Sequence, residues 1–244
     1  MCIKEETRDG IVILRISRPE KLNSLDTETL SKLTRSIRAH CKDEAVKMIV
    51  LTGEGKFFSS GIDLSEIASA QTPLQARESF ERLGELLEAL IKCSKPTATY
   101  LNGPAIAGGA EIALATDIVI ANPSSYISWP EIKWGIIAPM LAATLQSNRH
   151  QKLLEAALAG SRITPSEAID LGIIQGTKKS LQDALEYLRE TLETAFNNPE
   201  ATKLYLKYWR SNLENSLNKI NELVKLAENK ELIDKARKFL SRKG

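Results

Sequence analysis

The run from Gly103 to Ala121 decides what kind of fold this chain can adopt. It is almost wholly apolar, yet it contains Glu111, Asp117 and three glycines. A membrane span tolerates such groups poorly, and the sequence offers no second span. The run therefore reads as protein interior. Glu111 must find partners there, because a buried charge without them is costly. The pair Gly108-Gly109 just ahead of it allows a close backbone approach. A second acid follows in Trp129-Pro130-Glu131.

A chain of 244 residues can bury a substantial core and suits one α/β domain with an appendage. Its 43% hydrophobic and 26% charged residues are ordinary for a soluble globular protein. A net charge of +2 and 5% aromatics give no footprint or stacking platform for nucleic acid. The charge is uneven, with 11 Lys/Arg against 6 Asp/Glu in residues 200–244. That is either a solvated helical face or a basic lip for an anionic ligand. Cys2, Cys41 and Cys93 are odd in number and form no CxxC. This points to a reducing cytoplasm and away from a disulfide scaffold or zinc knuckle. The start, Met1-Cys2-Ile3-Lys4-Glu5-Glu6, is charged and has no apolar core, so no signal peptide is expected.

Strands and helices alternate along the chain. Residues 2–7 and 11–17 read as a hairpin around Arg8-Asp9-Gly10. Asp26 reads as the N-cap of a helix with Leu30, Leu33 and Ile37 on one face. Lys47 to Thr52 is a short apolar strand. Thr72-Pro73-Leu74-Gln75 is a capping box opening a helix with Ala76, Phe80, Leu83, Leu87, Leu90 and Ile91 on one face. Strands follow near 96–101 and 117–121. Thr164-Pro165-Ser166-Glu167 is a second box, with Gly172 as a C-terminal stop. From Ser180 the chain is nearly all helix, with a break around Asn197-Asn198-Pro199. An α/β core over 1–180 and a helical region over 181–244 result.

Several signatures are absent. Gly53-Glu54-Gly55-Lys56 lacks the P-loop spacing and reads as a turn, and there is no GxGxxG or GxSxG. His40 lies on a helix face and His150 follows Arg149; neither has a spacing that names a nucleophile or a metal. Two segments remain. Phe57-Phe58-Ser59-Ser60-Gly61-Ile62-Asp63-Leu64 is either a polar turn or a turn that aims an N–H into a cavity. Gly108-Gly109-Ala110-Glu111 opens a helix, where free N–H groups and the positive dipole end point outward. Two such N–H groups converging on one oxygen make an oxyanion hole.

These segments, with Arg18-Pro19-Glu20-Lys21-Leu22-Asn23-Ser24-Leu25-Asp26, Asn102 to Asp117 and Trp129-Pro130-Glu131, stand in a specific order and spacing. In them the chain resembles the crotonase, or enoyl-CoA hydratase/isomerase, superfamily over most of residues 1–180. Thr164 to Gly172 is similar to the family's helix after the active site. The resemblance implies an α/β fold of the ClpP/crotonase kind, a spiral of ββα units. Its C-terminal helices would cover the pocket and support a homotrimer or a dimer of trimers. The substrate would be an acyl-CoA thioester, with coenzyme A part of that substrate and no metal or redox cofactor. The thioester oxygen would accept from the N–H groups of Ile62 and Gly108. Family members often have alanine where Ile62 stands, but only the N–H is needed. Lys21, Leu22, Ser60, Asp63 and Leu64 would line the adenine and pantetheine path. Glu111 and Glu131 match the two acids of the hydratases.

Such acids suit hydration of a 2-enoyl thioester. One takes a proton from water and the other delivers one to the α-carbon, if their environments push their protonation apart. An isomerase needs chiefly Glu131. A non-catalytic scaffold that keeps only the acyl-CoA pocket is a third reading. One departure stands out. Where hydratases carry a glycine-rich turn, this chain reads Pro139-Met140-Leu141-Ala142-Ala143. Met140 and Leu141 are expected to crowd the pocket and favour short acyl chains; the alternative is that they point into the core.

Overall fold

The computed structural model describes residues 2–147, 150–214 and 217–242, so Met1 and Arg149 lie outside the described residues. The expected hairpin opens the main sheet. β1 (Ile3–Arg8) and β2 (Ile11–Ile16) pair antiparallel across Asp9-Gly10, whose φ angles are 52° and 82°. Asp-Gly accommodates that left-handed pair at little cost. β3 (Met48–Gly53), β4 (Thr97–Leu101), β6 (Ile118–Ala121) and β9 (Gly176–Thr177) add in parallel, in the order β1-β2-β3-β4-β6-β9. Three short strands, β5 (Ala105–Ile106), β7 (Ile127–Ser128) and β8 (Arg162–Ile163), form a second sheet in the order β5-β7-β8.

Parallel neighbours need crossovers, and the helices supply them. α1 (Thr27–His40) joins β2 to β3; α2 (Leu64–Ser69) and α3 (Pro73–Ile91) join β3 to β4; α4 (Gly108–Leu114) leads from β5 toward β6. The period of two sorts the strand residues into two cores. Val12, Leu14, Ile49 and Leu51 face the large cluster with α1 and α3. Ile11, Ile13, Met48 and Val50 face a smaller one closed by Ala184, Leu185 and Leu188 of α8 (Leu181–Phe196). Both faces of β3 are thus covered, which explains its apolar run Met48–Leu51. The apolar run 103–121 divides into β5, α4 and β6, none of them a span. Among the described residues no helix is long and apolar enough to cross a membrane.

The caps follow local chemistry. Asp26 accepts from Thr29 N at 2.8 Å. Thr164 with Glu167 and Ser180 with Asp183 form full capping boxes. The box expected at Thr72 is only half made. Thr72 accepts from Gln75 N, but the Gln75 side chain takes the N–H of Gln71 at 2.7 Å.

The cysteine reading is corrected. Cys41, at the end of α1, and Cys93, just after α3, form a disulfide across 52 residues. α1 and α3 pack side by side, so their ends meet, and no local spacing announces a pair so distant. Cys2 is free. The cysteine count therefore gives no ground for a reducing compartment.

The remaining helices are α5 (Pro139–Ser147), α6 (Gln151–Ala159), α7 (Pro165–Asp170), α9 (Pro199–Glu214), α10 (Leu217–Ala227) and α11 (Lys230–Ser241). α9 is fastened by Arg210, whose side chain is 2% exposed. Its Nε donates to Asp117 Oδ1 at 2.7 Å and its Nη2 to Asp117 Oδ2 and Lys95 O, while Nη1 reaches Cys93 O. Asp117 also accepts from Thr97 N at 2.7 Å, so this acid of the apolar run is fully partnered. Removing one member of a buried pair strands the other. Arg210→Ala is therefore expected to cost about 3–5 kcal/mol in a denaturant titration. A loss within about 0.5 kcal/mol, the ordinary surface value, contradicts this account.

Candidate active site

The site begins where the two sheets meet. Ile106 N donates to Ser59 O at 2.9 Å, and Ala107 N to Ser128 O at 2.9 Å. The segment after Phe57 therefore runs beside β5, and β5 beside β7. Further on, Leu25 N donates to Gly61 O at 2.8 Å and Asp63 N to Leu25 O at 3.0 Å. In a parallel bridge these two bonds flank Ile62 and turn its own N–H to the opposite side. Gly108 is the first residue of α4, where an N–H has no partner within the helix. Among the described residues neither the Ile62 N–H nor the Gly108 N–H finds an acceptor. The two amides are neighbours. A Cβ on Gly61 would stand 3.0 Å from Gly108 N, and one on Gly108 would stand 3.6 Å from Ile62 N. Gly61, at φ 85°, must be glycine here, since its Cβ would also meet Ala107 Cβ at 2.9 Å. Ala107 itself holds φ 51° and ψ −124°, a conformation rare outside glycine.

Glu111 lies one turn into α4 and is 1% exposed. Its Oε2 accepts from Met140 N at 2.6 Å and its Oε1 from Leu141 N at 3.1 Å. These are the first amides of α5, so a helix N-terminus grips the carboxylate. Burial pushes the Glu111 pKa up to about 7, although the Met140 and Leu141 amides pull it down. Glu131, on the 3-10 turn Pro130–Trp134, is buried too, and its Oε2 has no hydrogen-bond partner among the described residues. Burial first, and then the charge of Glu111, holds Glu131 well above the usual carboxylate range. Two acids share one site with unequal support: one is gripped by two amides, and the other has a buried oxygen without a partner among the described residues.

Here the expectation for Met140 and Leu141 is corrected. Their side chains are 0% and 3% exposed and belong to the core. It is their amides that serve the site. The cavity wall at this point is Ile136, Ile137 and Pro139 instead.

Both amides and both acids open on a single cavity of about 930 Å³. Lys21, Leu22, Ser60, Asp63 and Leu64 line it as well, so the two acids, the two oxyanion-hole candidates and the five binding candidates meet there. The turn that carries Lys21 is held in place by Asn23. Leu22 and Asn23 both have positive φ, 54° and 53°, and the Asn23 amide donates to Glu54 O and Phe57 O at 2.9 and 2.7 Å. Asp63 caps α2 and takes hydrogen bonds from Arg18 and Ser24, each at 2.9 Å, and from Ser65 N at 3.0 Å. Burial raises its carboxyl, but the bonds from Ser65, Ser24 and Arg18 outweigh that and hold it below the usual value. Its oxygens are thus engaged by the protein, and it shapes the wall.

Other lining residues were not singled out individually. Lys235, Lys238 and Arg242 of the C-terminal segment border the cavity, as do Lys133 and Leu223. The excess positive charge after residue 200, with Lys235, Lys238 and Arg242 at helical spacing, was the available signal. Phe80 and Leu83 were read simply as a core face, and they do face the interior, but part of that interior is the cavity.

The chain is similar to known proteins along most of its length. Residues 6–238 match the enoyl-CoA hydratase/isomerase family. The enoyl-CoA hydratase ACTT6 of Alternaria alternata is 32% identical over 196 residues, which cover 79% of this chain and 64% of that one. The peroxisomal Delta(3,5)-Delta(2,4)-dienoyl-CoA isomerase of Arabidopsis thaliana is 28% identical over 206 residues, covering 77% of this chain and 73% of that one. The crystal structure of an enoyl-CoA hydratase from Bacillus halodurans superposes with a TM-score of 0.83 at 27% identity, over 98% of this chain and 100% of that one. With its motifs gathered on one cavity and residues 6–238 matched, the chain has the crotonase fold and belongs to the enoyl-CoA hydratase/isomerase family.

Proposed function

We propose that this protein hydrates a 2-enoyl-CoA thioester. The observation that carries the reading is the pairing of two unengaged, adjacent amide N–H groups with two buried acids of unequal support in one cavity. Glu111, gripped by two amides, is the base. Glu131, bare and kept protonated, is the acid. Glu111 takes a proton from water as the water oxygen bonds to the β-carbon. The electron pair of the C=C bond moves toward the thioester oxygen, and the Ile62 and Gly108 N–H groups stabilise that enolate. The carbonyl re-forms as the α-carbon takes the Glu131 proton. The proton left on Glu111 returns to Glu131 or to solvent. The substrate gains one water and the protein only relays protons, with no net change of oxidation state, so the cycle calls for no redox cofactor or metal, and coenzyme A arrives with the substrate.

The test is optical. Hydration removes the ultraviolet absorption of a conjugated enoyl thioester, whereas isomerisation of a 3-enoyl substrate creates it. A scaffold does neither. Activity should also fall as the pH drops below about 7, where the Glu111 base gains a proton. It should fall again at a higher pH, where Glu131 loses its proton. The two apparent values belong to the pair. A kcat that stays flat across the acid side contradicts the base assignment. The isomerase is the second reading, favoured by the 28% identity to a dienoyl-CoA isomerase. We further propose a homotrimer or dimer of trimers. The exposed Leu204, Tyr205, Tyr208 and Trp209 on one stripe of α9 support a contact surface there.

A further inference from the structure

We infer that α10 sets the length of acyl chain this site accepts, with Leu223 as the stop; the inference rests on the acyl-CoA reading above. The cavity lining combines charge with apolar surface. Lys21, Lys238 and Arg242 bring positive charge to it, suited to the phosphates of a coenzyme, while Lys133 donates to Gly160 O and Lys235 pairs with Glu231. Phe80, Leu83, Pro139 and Leu223 make part of the lining apolar, suited to a hydrocarbon tail.

The apolar part starts at the reacting centre. A Cβ on Gly108 would stand 3.2 Å from Leu83 Cδ2, so Leu83 adjoins one of the two free amides. Pro139 precedes Met140, whose amide holds Glu111. α10 packs across both α3 and α5, and so lies over this end. It comes unusually close because α3 has a glycine at the crossing. A Cβ on Gly84 would lie 2.4 Å from Ile220 Cγ2. Ile220 and Leu223 are one turn apart on α10, so the contact that seats Ile220 also sets Leu223 into the cavity.

α10 is also fastened near both ends. Lys219 Nζ donates to Gln146 Oε1 of α5 at 3.0 Å. Glu228, just past its end, pairs with Arg77 of α3. These contacts seat α10 against α3 and α5 on either side of Leu223.

The experiment measures kcat/KM for straight-chain 2-enoyl-CoAs of increasing length, alongside Kd for the matching saturated acyl-CoAs. In the wild type the first methylene that does not fit should cost about 10–200-fold. Leu223→Ala should restore that factor for chains up to about three carbons longer, the number its side chain loses. Leu223→Val should give a smaller shift in the same direction, and serves if the alanine variant does not fold. Val224→Ala is the control. Val224 is buried on the same helix outside the cavity, so it should lower the melting temperature without moving the length profile. Folded Leu223 variants with the wild-type length profile overturn the inference. A shifted Kd profile in a protein that hydrates nothing upholds it and sinks the hydratase reading instead. A wild type that binds no acyl-CoA at all overturns both.

Discussion

A Gly108→Pro enzyme is expected to fold and to lose at least about 10²–10³ in kcat, the usual effect of removing one oxyanion donor. The substitution deletes the N–H, and its Cβ would stand 3.2 Å from Leu83 Cδ2, the far end of a flexible side chain. Gly108 is the first residue of α4, the helical position that proline tolerates best. A proline ring would also sit where the oxyanion must bind, so the loss could exceed the donor's value. Ile62→Ala is the matched comparison. It trims a partly buried side chain but keeps the amide, and should hold most of the activity. Circular dichroism must show both variants folded. If Ile62→Ala proves as damaging as Gly108→Pro, the amides are not what stabilises the transition state.

The second large effect is at Glu131. Glu131→Gln should lower kcat by about 10²–10⁴ while the protein becomes more stable at alkaline pH. The sign follows from its raised pKa. As pH rises past the unfolded carboxyl pKa, the unfolded chain releases its proton first. Stability therefore declines from there up to the folded pKa and stays low beyond it. The glutamine has no proton to lose, and the atom it replaces had no partner to forfeit. Its advantage should be absent near pH 4 and largest above neutrality. Glu111→Gln should behave differently. Both Glu111 oxygens accept N–H bonds, and an amide would turn its NH₂ against one of those donors. A loss of about 1–3 kcal/mol is the expectation there. Melting temperatures for both variants, taken on either side of neutrality, check the contrast. A Glu131→Gln protein that is less stable than wild type at alkaline pH would refute the assignment of a buried, protonated acid.

What could be read from the sequence was local or periodic. Asp26, Thr164 and the Asp9-Gly10 turn act on residues within a few positions, and the face of α3 repeats every turn. The nine site residues were legible because four segments recur together, two of them carrying backbone geometry in their glycines. What escaped depends on long separations. Cys41 and Cys93, like Arg210 and Asp117, are brought together only by the tertiary fold. Met140 and Leu141 misled for another reason. Their side chains differ from small residues, but the site uses the amide, which every residue except proline supplies. The side of a short helix that faces a cavity cannot be read from composition.

Ala107 gives this site its least comfortable residue. Its positive φ is a conformation that costs a non-glycine residue about 1–3 kcal/mol. The peptide plane between Ala107 and Gly108 carries the N–H that faces the cavity, and ψ of Ala107 sets the tilt of that plane. Glycine at 107 would be at ease in this geometry, and equally at ease with the plane rotated. Alanine has fewer places to go. The methyl group narrows the alternatives on both sides of the folding equilibrium, so a stiffer, less content residue keeps a dipole pointed while the ligand is still absent. Orientation is held there by the scarcity of other options.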